Sequence, residues 1–263
     1  MAYLVHQARL FFIALQFFTR LPIPRWVGFE PAWLHHASRY FPLVGLVVAA
    51  VAALAYAVAA LVWPVPVAVL LSMAASIYLT GAFHEDGLAD MCDGFGGGMT
   101  RERVLDIMRD SRIGTYGAVG AGLMLALKGT LLCQFSPAAA IAALFVAHPL
   151  SRLTAASLIW QLDYARDEGK AKPLAQEMTT GEFSVAAGCA FVPLVLTAVT
   201  GYFDWSVIGA SVTAAFAMTA WIARKCVQRI GGYTGDCLGA VQQLSEVVIY
   251  LCLLAGMQHG AWR

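Results

Sequence analysis

The chain has 263 residues, of which 60% are hydrophobic and only 13% are charged, and its mean hydropathy is +0.69. A typical soluble domain has about twice this share of charged residues, so the composition excludes a disordered chain, a coiled coil and an ordinary soluble enzyme. A formal net charge of +1 gives no sign of nucleic-acid binding. The six cysteines contain no C-x-x-C pair, which favours buried thiols over a disulfide framework or a zinc site. We therefore expect one membrane-embedded domain over residues 1–263.

The N-terminal apolar stretch FFIALQFF, residues 11–18, is too short to cross a bilayer, which needs about 20 apolar residues. Arg9 and Arg20 flank it, and it lacks the small-residue cleavage site of a signal peptide. We predict an interfacial or re-entrant helix here. Pro22 and Pro24 follow, and each interrupts a helix because proline lacks the backbone N–H donor.

Seven later segments are long and apolar enough to span a membrane, which predicts an all-α polytopic fold. They cover approximately residues 42–62, 65–83, 116–133, 138–160, 184–201, 205–223 and 239–258. The loops on one side carry fourteen lysines and arginines, whereas the other side has only Arg263. Because positively charged loops stay in the cytoplasm, we expect a multi-pass inner-membrane protein with its N-terminus and long loops cytoplasmic and its C-terminus outside. Within the spans the candidate charged residues are Lys128, Arg152 and Glu246, of which Arg152 could instead lie near a helix end.

The second span runs directly into the acidic sequence HEDGLADMCDG, residues 84–94. If the helix continues, Asp86, Asp90 and Asp93 lie at positions i, i+4 and i+7 and share one face. Carboxylates about 5 Å apart repel by roughly 3 kcal/mol per pair, and Mg²⁺, which takes carboxylate and phosphate oxygens, would relieve that repulsion. His84 would be a base or a partner of the ligands. The alternative is a solvated acidic helix end that nearby arginines neutralise.

A second polar segment, RDSRIGTYG at residues 109–117, leads into the third span. The free N–H groups and positive dipole at a helix start suit phosphate, and Arg109 and Arg112 would clamp its oxygens. In the alternative interpretation these arginines satisfy the positive-inside rule and pair with Asp106 or Asp110.

A third polar segment, GGYTGDCLG at residues 231–239, precedes the last span. Asp236 is placed as an N-cap, or else as a second metal ligand or a base that orients a hydroxyl. Lys172, in the loop before the fifth span, would add a phosphate contact. Carboxylates, arginines at a helix start and glycine-lined openings together predict a metal-dependent transferase that acts on a diphosphate-linked substrate at the membrane surface.

Four segments, taken as a set and in this order, resemble the cobalamin synthase family, also called adenosylcobinamide-GDP ribazoletransferases: FTRLPIP (18–24), HEDGLADMCDGFGGG (84–98), MRDSRIGTYG (108–117) and GGYTGDCLGA (231–240). The resemblance covers nearly the whole chain. It implies an integral membrane enzyme that requires Mg²⁺. Such an enzyme joins adenosylcobinamide-GDP to α-ribazole or its 5′-phosphate and releases GMP, late in vitamin B12 synthesis. From the near-zero net charge we expect no nucleic-acid partner, and the sequence leaves open whether the enzyme forms a homo-oligomer.

The resemblance also implies roles for individual residues. Four acids would hold Mg²⁺ against the substrate diphosphate: Glu85, Asp86, Asp90 and Asp93. Four residues would be catalytic: Asp236, His84, Arg109 and Arg112. The two arginines would face the GMP leaving group, and Asp236 would orient the ribazole 3′-hydroxyl. Substrate contacts are expected from Arg20, Ser111, Gly114, Thr115, Lys172, Gly232, Thr234 and Gly235.

Two other functions fit parts of the sequence. A CDP-alcohol phosphotransferase uses the pattern D-G-x-x-A-R followed by spaced aspartates, but Asp90 stands where that pattern requires arginine. A magnesium or metabolite transporter would explain seven spans and an acidic cluster. It also predicts intramembrane acids along a path, where Glu246 is nearly alone.

Overall fold

A computed structural model describes residues 2–165 and 177–259, and the regular elements within these ranges are all helices. In chain order the α-helices are α1 (Ala2–Phe18), α2 (Pro31–Ala37), α3 (Phe41–Ala60), α4 (Val65–Thr80), α5 (Phe83–Gly97), α6 (Arg101–Ile107), α7 (Thr115–Leu132), α8 (Pro137–Gln161), α9 (Thr180–Val199), α10 (Trp205–Ile230) and α11 (Gly235–His259). Short 3-10 turns occupy Arg25–Val27 and Ser38–Tyr40. All six cysteines are free.

The prediction of an all-α fold with about seven membrane-spanning segments is confirmed. Six stretches of the described chain are long and apolar enough to cross a bilayer: Trp33–Ala59, Thr115–Leu132, Pro137–Gln161, Thr180–Val199, Trp205–Ile230 and Gly235–Gln258. The pair α4 and α5 passes the same test together, which makes seven if the pair counts as one broken span. The predicted N-terminal helix is present as α1, and its position at the membrane interface stays a prediction.

The chain bends by 86° between α4 and α5, so the expected continuation of the second span as one straight helix was wrong. Gly81 and Ala82 both adopt the left-handed conformation, with φ of 66° and 59°. Their N–H groups bond to the carbonyls of Tyr78 and Ile77, which ends α4 in the usual manner of a left-handed cap. The acidic sequence therefore forms a separate helix that changes direction where the second span ends.

Close helix crossings depend on glycine. A Cβ atom on Gly45 of α3 would lie 2.7 Å from the backbone oxygen of His148 in α8. A Cβ on Gly87 of α5 would lie 3.0 Å from the carbonyl oxygen of Asp236, and one on Gly239 would lie 3.0 Å from that of His84. Real Cβ atoms essentially never lie closer than 3.0 Å to another heavy atom, and contacts of 3.0–3.4 Å are already rare, so α5 and α11 cross at these two glycines.

The start of α9 is fixed by a capping box, in which Thr179 and Glu182 exchange hydrogen bonds. The Glu182 carboxylate also binds Arg39 and, at 2.6 Å, the Nδ1 atom of His36. These contacts tie α9 to the segment before α3. The same side of the bundle carries the polar sequence segments.

One end of the bundle, which we call the motif end, contains α5, α6, the starts of α7 and α11 and the ends of α8 and α10. Arg101 of α6 donates to the backbone oxygens of Ile230 (2.9 Å) and Ala165 (2.7 Å). The N–H of Ala165 in turn donates to the oxygen of Tyr233 at 2.8 Å, and that of Tyr233 to the oxygen of Asp163 at 3.0 Å. These bonds hold the loops of the motif end together.

Candidate active site

Three aspartates share one face of α5, as their spacing predicts, but their surroundings differ. Asp86 is exposed, Asp90 is half-buried and Asp93 is only 9% exposed. A carboxylate at the exposed end of this row can take an external ligand, whereas a buried carboxylate needs partners from the protein. The metal-binding role of all three stays a prediction.

The buried Asp93 carboxylate caps the start of α7. Its two oxygens accept hydrogen bonds from the N–H groups of Gly114 (2.7 Å) and Gly117 (2.8 Å). An anion at this position is stabilised by the positive end of the helix dipole. The N–H of Gly114, which we expected to meet a substrate phosphate, is thus already bonded to Asp93. Sequence spacing alone gives no sign of this contact, because it joins residues 21 positions apart.

The crossing of α5 and α11 brings the first and third polar segments together. Asp236 is the second residue of α11, so its carboxylate lies in the first helical turn rather than at the N-cap position. The hydroxyl of Thr234 donates to Asp236 Oδ2 at 3.2 Å. Since the backbone of Asp236 lies directly against Gly87, this acid stands beside the residue that follows Asp86.

The arginine segment before α7 lies at the surface. Arg112 pairs with Asp110 through Nε–Oδ1 and Nη2–Oδ2 contacts of 2.9 and 2.6 Å, which is the pairing that the alternative interpretation expected. Hydrogen bonds from Arg112 lower the pKa of Asp110 to about 2. Arg109, Ser111 and Thr115 are exposed, so the segment can meet a ligand from solvent.

The first two residues of the acidic sequence point into the protein. His84 is 4% exposed, and its ring stacks on Phe18 with centroids 5.4 Å apart. Glu85 Oε1 accepts a hydrogen bond of 2.8 Å from Gln243, and its buried Oε2 has no partner within the described ranges. Glu85 thus joins α5 to α11.

No group of three or more His, Cys, Asp or Glu side chains in the part of the chain that the structure describes is arranged to hold a metal ion unaided. Mg²⁺ usually takes one or two carboxylates together with substrate phosphates. The exposed Asp86 and the half-buried Asp90 and Asp236 fit such an incomplete ligand set, which a diphosphate would complete.

The other expected substrate contacts are placed as follows. The Arg20 guanidinium lies 5.1 Å from the ring of Tyr78 and beside Gly81, at the bend between α4 and α5. Gly232 packs against the backbone of Asp163, and Thr234 is fully buried. Gly235 opens onto empty space at the start of α11. Lys172 lies outside the described residues.

A charged cluster in the bundle interior was not predicted. Lys128 Nζ lies 2.5 Å from Glu246 Oε1, and Glu246 also accepts hydrogen bonds from Gln242 (2.7 Å) and Tyr250 (3.0 Å). Arg152 lies within α8 rather than at its end. The charge of Glu246 is therefore paired inside the bundle. The spacing of Gln242, Glu246 and Tyr250 at i, i+4 and i+8 on α11 is the sequence signal that could have revealed the cluster.

Two cavities lie in different parts of the bundle. One cavity, of about 490 Å³, is an apolar groove between α3, α8 and α9, and its lining includes no residue of the polar segments. A smaller, aromatic pocket lies between α1, α3, α5, α8 and α11 and includes His84, Gly235 and Gly239. The second pocket is the one that adjoins Asp236.

Comparison with known proteins identifies relatives of this chain. A protein of Leptothrix cholodnii named Adenosylcobinamide-GDP ribazoletransferase is 49% identical over 262 residues, which cover 98% of this chain and 99% of that protein. Proteins of the same name from Shewanella frigidimarina and Vibrio cholerae are 46% and 43% identical, covering 95% and 98% of this chain and 96% and 98% of their own. No solved structure shows a significant match. Residues 10–254 match the profile of the family described as Cobalamin-5-phosphate synthase, and the chain therefore belongs to that family.

Proposed function

We propose that this protein is a membrane-embedded transferase that joins the cobinamide-phosphate group of adenosylcobinamide-GDP to α-ribazole, or to its 5′-phosphate, and releases GMP. The names of its relatives support the reaction. The observation in the structure that carries the proposal is the crossing of α5 and α11 at Gly87 and Gly239, which places Asp236 beside the acidic face of α5. The CDP-alcohol phosphotransferase and transporter alternatives have no comparable support.

The reaction forms one phosphoester bond and breaks one phosphoanhydride bond. The 3′-hydroxyl oxygen of α-ribazole attacks the phosphorus attached to cobinamide, and the bond from that phosphorus to the GMP oxygen breaks. Asp236 accepts the hydrogen bond of the attacking hydroxyl and takes its proton. Arg109, exposed in the segment before α7, faces the negative charge that develops on GMP.

Two acidic residues of this region are held by hydrogen bonds within the protein. Asp93 bonds to the start of α7, and Glu85 bonds to Gln243. Asp86, which is exposed, and Asp90, which is half-buried, would hold Mg²⁺ together with the diphosphate oxygens. When bound, this ion supplies positive charge that offsets the charge of the diphosphate.

We also propose that the protein lies in the inner membrane and that its motif end faces the cytoplasm. The support is the distribution of charge along the sequence, since fourteen of the seventeen lysines and arginines fall in the N-terminal region and the three long loops that the positive-inside rule assigns to the cytoplasm. A cytoplasmic motif end would give the site access to the phosphorylated substrate.

The proposed function is tested with membranes that contain the protein, adenosylcobinamide-GDP and α-ribazole, with Mg²⁺ or with EDTA. We expect cobalamin and GMP in equal amounts with Mg²⁺ and neither product with EDTA. Asp86→Asn should lower turnover by at least about a hundredfold, because a neutral amide binds Mg²⁺ poorly.

Asp204→Asn is the matched control, since Asp204 is exposed and precedes α10 at the other end of the bundle. It should retain wild-type turnover because the Asp204 side chain makes no capping hydrogen bond and lies far from the motif end. Normal Mg²⁺-dependent rates in Asp86→Asn would exclude the metal role. Formation of CMP from a CDP-alcohol, with no cobalamin, would instead establish the phospholipid transferase alternative.

A further inference from the structure

An aromatic pocket at the motif end has no role in the steps described above. Four phenylalanines from α1, α3 and α5 form its walls, and two glycines of α11 form part of its floor: Phe17, Phe18, Phe41, Phe83, Gly235 and Gly239. It has a cavity volume of about 60 Å³ and opens to solvent at its mouth. We call it the aromatic slot, because it is narrow and bounded by ring edges and faces.

The rings of the aromatic slot are arranged edge to face. Phe18 and Phe41 have centroids 4.5 Å apart at an angle of 89°, and Phe17 and Phe83 are 5.2 Å apart at 71°. Such rings present both edges and faces to a guest, and flat aromatic ligands pair with either. An aromatic ring would therefore find more favourable contacts here than a flexible chain.

The aromatic slot also has a polar end. Arg152 is only 3% exposed and lines the slot next to His84. Its Nη1 donates to the backbone oxygen of His148 at 3.0 Å, but within the described ranges its Nε has no hydrogen-bond partner. A buried donor without a partner is costly, so a ligand that brings one acceptor atom to this end would be stabilised.

The mouth of the aromatic slot adjoins the proposed site of chemistry. Gly235, which lines the slot, directly precedes Asp236, and Gly239 contacts Gly87 of α5. A nucleoside whose base fills the slot would thus extend its sugar toward Asp236.

We propose that the aromatic slot binds the planar base of the nucleoside substrate, the benzimidazole ring of α-ribazole. This inference rests on the proposed function. The base is flat and apolar, and its one free ring nitrogen is an acceptor, which matches the unpartnered Nε of Arg152. The slot then selects the nucleoside, whereas the acidic face of α5 binds the diphosphate of the other substrate.

The first test shortens one wall of the slot. Phe83 is 39% exposed, so Phe83→Ala leaves the core largely intact. We expect the KM for α-ribazole to rise about tenfold, as the loss of an aromatic contact predicts, while the KM for adenosylcobinamide-GDP stays within about twofold of wild type. Phe191→Ala is the matched control, because Phe191 is 44% exposed on α9, away from the slot. It should change neither KM.

The second test removes the acceptor nitrogen from the ligand. Equilibrium dialysis of purified protein with α-ribazole, and with the analogue in which indole replaces benzimidazole, measures binding without turnover. We expect wild type to bind α-ribazole about tenfold more tightly than the indole analogue, as for one hydrogen bond to a charged donor. Arg152→Met should bind both equally.

The outcomes separate this inference from the proposed function. Unchanged KM values in Phe83→Ala, or equal rises for both substrates, would overturn the base-binding role while wild type still formed cobalamin and GMP. A phospholipid chain as the natural occupant of the slot would give that result. Wild-type protein that formed neither product would overturn the proposed function and this inference together.

Discussion

Two aspartates of one helix show how the surroundings of a residue determine its role. Asp86 and Asp93 lie seven positions apart on α5, and both have the same chemistry. Asp93 is buried against two N–H donors of α7, whereas Asp86 faces solvent. One carboxylate therefore holds helices together, and the other remains available for a ligand.

Replacing Asp93 should reduce stability. Asp93→Ala leaves the N–H groups of Gly114 and Gly117 without their acceptor, so we expect a loss of about 1–2 kcal/mol, as for other lost helix caps. Thermal unfolding in detergent measures the effect as a lower Tm. Asp86→Ala is the control and should keep the wild-type Tm despite its low turnover. An unchanged Tm in Asp93→Ala would show that the cap contributes nothing to stability.

At the scale of helices, the position of the site depends on the close contact of α5 with α11. Gly87 and Gly239 let the two backbones approach, and this approach, rather than any side-chain bond, sets Asp236 beside the acidic face. Gly87→Ala would insert a Cβ atom 3.0 Å from the oxygen and 3.1 Å from the Cα atom of Asp236, neither of which can move independently of α11.

We therefore expect Gly87→Ala to displace α11 from α5 and to lower turnover by about tenfold or more, since small misplacements of catalytic groups are costly. Gly122→Ala is the matched control, because Gly122 lies in α7 with open space around it. That variant should retain full turnover and gain stability slightly, since alanine favours a helix over glycine. Wild-type turnover in Gly87→Ala would show that the crossing tolerates a wider spacing.

The spans and the polar segments could be predicted from sequence because their causes are local. Lipid imposes long apolar runs, and the acids of α5 recur at helical spacing. The bend after α4 was missed because Ala82, with its φ of 59°, adopts a conformation that alanine rarely takes. The capping role of Asp93 and the pairing of Lys128 with Glu246 were also missed, because both join residues that are distant in sequence.

At the scale of the whole molecule, charge is found both at the motif end and inside the bundle. Seven lysines and arginines lie in or beside α6, the start of α7 and the end of α10, while the Lys128–Glu246 pair lies inside the bundle between α7 and α11. His148 Nδ1 of α8 lies 3.6 Å from the same carboxylate. Charged groups inside a membrane are costly unless they are paired, so this cluster favours one arrangement of the three helices.

Breaking the pair should destabilise the bundle more than any surface change. The side chains of Lys128 and Glu246 are 4% and 0% exposed, so Lys128→Met leaves a buried carboxylate without its cation and should cost about 3–5 kcal/mol. The double variant Lys128→Met with Glu246→Gln should regain part of this loss, because it removes the charge of the buried carboxylate together with that of the lysine. Lys225→Met, at an exposed position of α10, is the control and should keep the wild-type Tm. If Lys128→Met alone also kept it, the pair would not hold α7 against α11, and helix packing alone would set their arrangement.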